Sequence, residues 1–358
     1  MLTMKDKAKK ILNIFTIVLI SLFYLAAIFL LFSTITEYKP QKVENIALDT
    51  KLSNNPMNSE EISIFMWNIG HAGLSKEMDD YTEGGYKHKP GIDIYQKTLN
   101  ALLNKLSAFS YVDFIMLQEV DVFSNRSYYI NQKNIIADFL PDFINTFALT
   151  DDVQFKLFPL YSPLGRLKSG LQTLTKFTPI EIQRRAYPSQ TNWPAHLLLP
   201  HSCFLINRFA LDNGKQFLVI NTQYTPLGLG FPGNMDMEAL KLFVTNEYNK
   251  GNYVIVGGDW NMNPPGFKKM LSINKSKKSK QNNEMLGQLL PSNWQWVFDN
   301  NIPSKRKLNA AFNAQSTLTT VTDFFLLSPN IQSLNISCLD MNFEYSAHNP
   351  LLITIKLK

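Results

Sequence analysis

The sequence predicts an α/β domain in which two packed sheets carry helices on their outer faces, preceded by one apolar helix at the N-terminus. Three observations predict it. Six short apolar runs each have a polar residue at one end, amphipathic helical stretches lie between some of them, and an apolar segment follows a lysine cluster at the start. Strands interspersed with helical patterns lead to layered α/β architectures.

The chain of 358 residues opens with Lys5, Lys7, Lys9 and Lys10 and then runs apolar from Ile11 to Phe32. Only mild polar residues such as Asn13, Thr16 and Ser21 interrupt that run. At about 1.5 Å per residue, such a helix spans a hydrocarbon core about 30 Å thick. A cleaved signal peptide has a shorter apolar region and ends in a small-x-small site. The expectation is an uncleaved single-pass anchor at 11–32. The positive-inside rule then keeps residues 1–10 cytoplasmic and places the rest outside the cytoplasm. Residues 33–60 read as a linker, with Pro40, Asn54, Asn55, Pro56, Asn58 and Ser59 as breakers. Residues 61–358 form the domain.

Composition is that of a globular unit, 45% hydrophobic with 25 Phe and 14 Tyr. The formal charge is +6, but four lysines and one aspartate in the first ten residues account for +3 of it. The remainder is mildly basic. Its dense cluster, Lys268, Lys269, Lys275, Lys277, Lys278 and Lys280, reads as a solvated loop or as a contact for an anionic surface or nucleic acid. No aromatic residues interleave with it, which argues against stacking on single strands. Two cysteines, Cys203 and Cys338, make neither a disulfide framework nor a zinc motif, and are expected as free core thiols.

Each strand closes on chemistry. The run at 62–67 ends on Asn68, 114–118 on Glu119, 217–220 on Asn221 and Gln223, and 253–256 on Gly257-Gly258-Asp259-Trp260-Asn261. Asp323 opens the run at 324–328, and His348 precedes the last run at 351–355. On an extended backbone Asp259 and Asn261 point the same way. The two glycines before them allow a turn or the close approach of a ligand. Gly-Gly-Asp alone is also an ordinary turn with an Asx cap. Six polar strand ends are explained better by one shared cleft than by separate caps. Ile92, Tyr95, Leu99, Leu102, Leu103 and Leu106 predict a helix over 92–109. Met237, Leu240, Phe243, Val244 and Tyr248 predict another, stopping at Gly251. Trp67 and Trp260 alternate away from their polar neighbours and are expected in the core.

Trp-Asn-Ile-Gly at 67–70, Leu-Gln-Glu-Val-Asp at 117–121, Gly-Gly-Asp-Trp-Asn at 257–261, Thr-Asp-Phe-Phe-Leu-Leu-Ser at 322–328 and Ser-Ala-His-Asn-Pro at 346–350 follow one another in a telling order. Over about residues 60–358 the chain resembles the endonuclease/exonuclease/phosphatase superfamily, the deoxyribonuclease-I-like fold. The resemblance implies a four-layer sandwich of two mainly antiparallel sheets flanked by helices. Members cleave DNA, RNA, sphingomyelin, inositol phosphates and other phosphoesters, so the fold does not choose the substrate.

By that resemblance Glu119 is the main ligand of Mg²⁺ or Mn²⁺, assisted by Asn68 through its amide or a bound water. Asp259 orients or deprotonates the attacking water, and Asn261 donates to the phosphate. His348 donates to the phosphate or moves a proton, held by Asp323, although His-carboxylate pairs are also common as structural pairs. Gln223 and Asn221 fall to substrate binding. Arg126 is either a second phosphate ligand or a surface ion pair. The chain departs from the family in two places. Ala347 stands where most members have Asp, and Gln223 stands where many have His. Tyr224, His201 and His71 are near enough in sequence to compensate, His71 reading more simply as a surface residue. The loops at 70–91 and 224–236 are expected to set specificity. The expected function is a membrane-anchored phosphoesterase acting on a nucleic acid, phospholipid or small phosphoester. The alternative is a domain that binds a phosphorylated ligand without turnover.

Overall fold

Residues 62–67 alternate between two buried environments, because successive strand side chains point to opposite faces. Ile62, Ile64 and Met66 enter the contact between two sheets, while Phe65 and Trp67 lie under helices. Strands covered on both faces read as nearly continuous apolar runs. That is why these segments stand out in the sequence.

The computed structural model describes residues 4–48, 55–57, 59, 61–188, 193–198, 200–224, 233–267 and 290–358. In chain order, α1 (Met4–Ile35) is followed by β1 (Val43–Asn45), β2 (Glu61–Asn68), α2 (Ile92–Ala108) and β3 (Phe114–Asp121). Next come α3 (Gln132–Phe139), β4 (Ile144–Lys156), β5 (Gly165–Thr175), β6 (Glu181–Ala186), β7 (Cys203–Ala210) and β8 (Gln216–Gln223). Then follow α4 (Gly233–Asn249), β9 (Tyr253–Asp259), β10 (Gln295–Val297), β11 (Lys305–Arg306) and β12 (Thr319–Thr320). The chain closes with β13 (Asp323–Leu327), β14 (Ile331–Cys338) and β15 (Leu351–Leu357).

One sheet has the order β1-β6-β7-β8-β9-β13-β10 and the other β14-β15-β2-β3-β5-β4; β11 and β12 form a separate ribbon. Pairing is mainly antiparallel. The parallel pairs are β2–β3 and β8–β9, and each needs a crossover, supplied by α2 and α4. Leu240 and Val244 of α4 pack on Ile220, Val256 and Phe324. Leu99, Leu102 and Leu106 of α2 pack on Phe65, Trp67 and Ile115. Between the sheets Ile64, Met66 and Phe114 meet Phe217, Val219, Ile255 and Phe325. Each such side chain contributes about 1.5–3 kcal/mol through burial. Helix, sheet, sheet and helix form the four layers that the resemblance implies.

The expected helices at 92–109 and before Gly251 are α2 and α4, and Gly251 takes φ +85° just past α4. Cys203 and Cys338 are free and buried. The expected linker at 33–60 differs. Its residues 43–45 pair with β6, Ile46 and Leu48 pack on the sheet edge, and Met57 enters the core between the sheets. Three residues are too short to show a period, so β1 left no sequence signal.

Helix α1 extends on both sides of the apolar run and buries none of its residues against the domain. It is long and apolar enough to cross a membrane. Within it the Thr16 hydroxyl donates to the Leu12 carbonyl at 2.9 Å, which satisfies a polar group in apolar surroundings. The lysine cluster of residues 268–280 lies outside the described residues, as do residues 225–232 of the expected specificity loop.

Candidate functional site

Parallel and antiparallel register bring the polar strand ends to one end of the sandwich. Gln223 of β8 lies opposite Asp259 of β9, and Asp259 lies opposite Asp323 of β13. In the other sheet Asn68 of β2 is level with Gln118 of β3. A bulge between Leu117 and Val120 then turns Glu119 out of the ladder, with φ +56°. A bulge re-aims a side chain, and here it aims a carboxylate at the other sheet. His71 (φ +45°) and Asn261 (φ +49°) are also left-handed. Such backbone costs of order 1–3 kcal/mol and collects at functional sites.

Asn68 joins the two sheets. Its Nδ2 donates to Glu119 Oε1 and to Asp259 Oδ2, both at 3.1 Å, and its Oδ1 accepts from the Gly70 N–H at 3.0 Å. Gln223 Nε2 donates to Glu119 Oε1 at 2.9 Å, and His71 Nδ1 lies 3.3 Å from Oε2. Burial pushes the Glu119 carboxyl up, but His71, Arg126 and Asn68 outweigh it and hold the group well below the usual range.

Asp259 and Asn261 do converge, by a turn rather than by the alternation expected of a strand, since β9 ends at Asp259. The Asn261 N–H donates to Asp259 Oδ1 at 3.0 Å, and its Nδ2 donates to the Tyr224 carbonyl at 2.8 Å. The glycines before them lie within β9, ahead of the turn. A Cβ on Gly258 would stand 1.7 Å from the Thr222 carbonyl of β8, and one on Gly257 would stand 2.6 Å from the Phe325 ring. They let neighbouring chain pack closely.

His348 Nδ1 lies 2.9 Å from Asp323 Oδ2, and its Nε2 lies 3.7 Å from Asp259 Oδ2. Ser304 donates to Asp323 Oδ2 at 2.7 Å, which fixes the carboxylate. Burial pushes the imidazole down, yet the charges of Asp323 and Asp259 outweigh it, so His348 titrates above its ordinary value. Burial raises the Asp259 carboxyl, with Asp323 adding to it and His348 and Lys305 opposing.

The remaining expectations divide. Asn221 is buried away from the cleft: its Nδ2 donates to the carbonyls of Leu117 and Gln172, both at 3.0 Å, and its Oδ1 accepts from Gln118 at 2.7 Å. It clamps the sheets beneath the site, and its side chain is already spent on those contacts. Arg126 grips buried Asp121 with two bonds of 3.0 and 2.9 Å and acts on Glu119 by its charge. Tyr224 is buried against Tyr187, and His201 stacks edge-on with Tyr38. Trp67 and Trp260 are core residues whose ring N–H groups donate to the carbonyls of His348 and Phe324. Ala347 is fully buried with Leu74 and Leu308.

One residue, Lys305, was missed, and another, His71, was named but expected on the surface. His71 is buried against Glu119 rather than on the surface, and its Nε2 makes no hydrogen bond. Lys305 bridges to His348 by backbone pairing and donates from Nζ to Asn261 Oδ1 at 3.2 Å, with Glu83 Oε1 at 3.4 Å. Lys305 sits on a two-residue strand with no apolar run to announce it. His71 carried a signal only in its position, three residues after Asn68.

The donors fit a hard divalent cation. Asp259, Asp323 and His348 each bring one ligand-capable atom within 4.8 Å of the others, a partial metal-binding set. Glu119 adds a partly exposed, ionised carboxylate that, among the described residues, no lysine or arginine contacts directly. Carboxylate oxygens suit Mg²⁺ or Mn²⁺. Asn68, expected as an assisting ligand, turns its Nδ2 to Glu119 and Asp259 and its oxygen to the Gly70 N–H, so it fixes the carboxylates instead.

No family model and no curated protein matches the chain in sequence. Solved structures do match in fold. An endonuclease/exonuclease/phosphatase from Beutenbergia cavernae superposes with a TM-score of 0.56 at 12% identity, covering 84% of this chain and 72% of its own. ANGEL2, a 2′,3′-cyclic phosphatase in complex with adenosine-2′,3′-vanadate, gives 0.54 at 15% identity, covering 89% and 99%. An endonuclease/exonuclease/phosphatase from Bacteroides vulgatus gives 0.51 at 11% identity, covering 84% and 100%. The chain therefore shares the fold of these structures. Fold and site together define a class, a two-sheet α/β sandwich with an acidic cleft at one end in which Asp259, Asp323 and His348 could hold a metal ion.

Proposed function

We propose that this protein is a membrane-anchored, metal-dependent phosphoesterase whose catalytic domain lies outside the cytoplasm. The observation that carries the reading is the meeting of Asn68, Glu119, Gln223, Asp259, Asn261, Asp323 and His348, from both sheets, at one end of the sandwich. Such a set holds an anion, orients a water and supplies donors to growing charge. The anchor and its orientation rest on α1 and the four lysines at its start.

Glu119 would hold Mg²⁺ or Mn²⁺, with Asn68 and Gln223 fixing the carboxylate. A cation there neutralises the phosphate and polarises its oxygens. Asp259, its carboxyl raised above its ordinary value by burial, accepts the proton of the attacking water. Asn68 and Asn261 hold its oxygens in place. His348 donates from Nε2 to the phosphate while Asp323 keeps the imidazole oriented through Nδ1. Lys305 supplies the cationic donor that Gln223 cannot be.

The second reading is a domain that binds a phosphorylated ligand without turnover. Ala347, packed with Leu74 and Leu308 where the resemblance expects a carboxylate, favours it. The test is hydrolysis of bis-p-nitrophenyl phosphate, plasmid DNA and a phospholipid by the full chain in detergent, with Mg²⁺ or Mn²⁺. Metal-dependent turnover falling by ~10²-fold or more in both Glu119→Ala and His348→Ala supports the enzyme. An inert parent that still binds a phosphorylated ligand selects the second reading.

A further inference from the structure

The hairpin joining β4 and β5 exposes apolar side chains where a soluble surface has little use for them. Phe155 and Phe158 are exposed on it, and Leu160 and Tyr161 are each 67% exposed. The hairpin stands against the end of α1. The Phe155 ring meets Phe29 edge-on at 6.4 Å, and exposed Trp193 donates from its ring N–H to Thr34 Oγ1 at 3.1 Å. Phe29 lies about 9 Å along the axis before the helix end. The hairpin base is thus level with the last apolar turns of α1.

Register places this hairpin at the site-bearing end of the sandwich. Ser169 of β5 is level with Asp121 of β3 and with Asp151 of β4, next to Glu119. From there β4 and β5 continue to the Lys156–Gly165 pair, roughly 15 Å further at the usual strand rise. The tip is also tied to the cleft rim. Tyr161 OH donates to the Tyr86 carbonyl at 2.6 Å, and Glu83 of the same rim loop lies 3.4 Å from Lys305.

We propose that the site-bearing end of the domain faces the bilayer, with Phe158, Leu160 and Trp193 seated among the headgroups, and that the substrate is the phosphoester of a phospholipid in that leaflet. Aromatic side chains with an apolar body and a polar edge partition to this interface. A lipid headgroup reaches a cleft there by lateral diffusion and keeps its acyl chains in the leaflet. A nucleic acid would have to slide between protein and membrane. The docking half rests on α1 spanning the bilayer, and the substrate half on the phosphoesterase reading.

The experiment uses the full chain in phosphatidylcholine–phosphatidylglycerol vesicles with a fluorophore on Leu160→Cys. Both native thiols are buried and their pKa raised by that burial, so the label goes to the introduced cysteine. The control is Ile180→Cys, exposed just beyond the Thr175 end of β5, opposite the site. The expected result is quenching of the label at 160 by doxyl lipids, with at least fivefold less quenching by aqueous iodide than at 180. Equal iodide quenching at the two positions overturns the docking, whatever the enzyme does. For the substrate, the Phe158→Ser/Leu160→Ser double variant is expected to lose about tenfold of its turnover of vesicle phospholipid and to keep its turnover of bis-p-nitrophenyl phosphate. An equal loss on both substrates overturns the lipid assignment. A shielded label with no turnover of either substrate supports the docking and sinks the enzyme.

Discussion

Lys305 enters the cleft as a cation held between Asn261 Oδ1 and Glu83 Oε1. Burial pushes its ammonium pKa down, but Asp259, Glu83, Asp323 and Glu119 outweigh that and raise it, so the group stays charged at neutral pH. A half-buried ammonium among carboxylates is a ready partner for a phosphate oxygen. Lys305→Met keeps much of the side-chain volume and removes the charge. Turnover of bis-p-nitrophenyl phosphate is expected to fall by ~10², the usual cost of one transition-state donor. Steady-state rates beside a thermal melt check it, and unchanged rates would remove Lys305 from the machinery. His71 acts differently, since its Nδ1 faces Glu119 and sets the carboxylate that the cation would use.

At the scale of elements, the parallel pair β8–β9 carries Gln223 and Asp259 side by side, and Gly258 sets how closely the two strands lie. Gly258→Ala places a methyl group against the Thr222 carbonyl, which is backbone and has nowhere to go. A loss of about 3 kcal/mol or more is expected in urea unfolding, above the usual range for overpacking. A variant as stable as the parent would show that the strands separate freely.

The far end of β9 is held by Glu247 of α4, which accepts from Arg208 at 2.8 Å, Lys250 at 2.8 Å and Asn252 at 2.8 Å. Burial raises its carboxyl, but those donors outweigh it and take the pKa from 4.5 down to about 2. A lowered native pKa stabilises the fold above the unfolded value and loses that contribution as pH falls through the native one. The stability gap between the parent and Glu247→Gln is therefore expected to be full above about pH 5 and to shrink toward pH 2. Urea midpoints across pH 3–7 measure it, and a gap independent of pH would contradict the assignment.

For the whole molecule, α1 buries none of its residues and meets the sandwich near its end, through Phe29 and Thr34. The helix is long and apolar enough to cross a bilayer, and the proposed anchoring rests on it. In a bacterial host the chain is expected to stay with membranes after alkaline carbonate washing. Protease added outside spheroplasts is expected to remove a C-terminal tag and spare an N-terminal one. The reverse pattern would place the domain in the cytoplasm.

Much was legible in the sequence because period and position carry it. Strands buried on both faces stood out as apolar runs, the crossover helices α2 and α4 showed helical spacing, and α1 showed its length and its lysines. Asn68, Glu119, Asp259, Asp323 and His348 were readable because each sits at the end of such a run. What the tertiary structure alone decided is how those ends are used. Gln223 and Asn221 are two residues apart on one strand, yet Gln223 reaches Glu119 while Asn221 is spent on Gln118 and the carbonyls of Leu117 and Gln172. The bulge at Glu119, the backbone bridge that delivers Lys305 and the pairing of β1 with β6 likewise depend on partners distant in the chain. Local sequence determines which segments form and which residues end them. The packing of one sheet on another determines which of those residues face each other, because that contact exists only after the chain has closed.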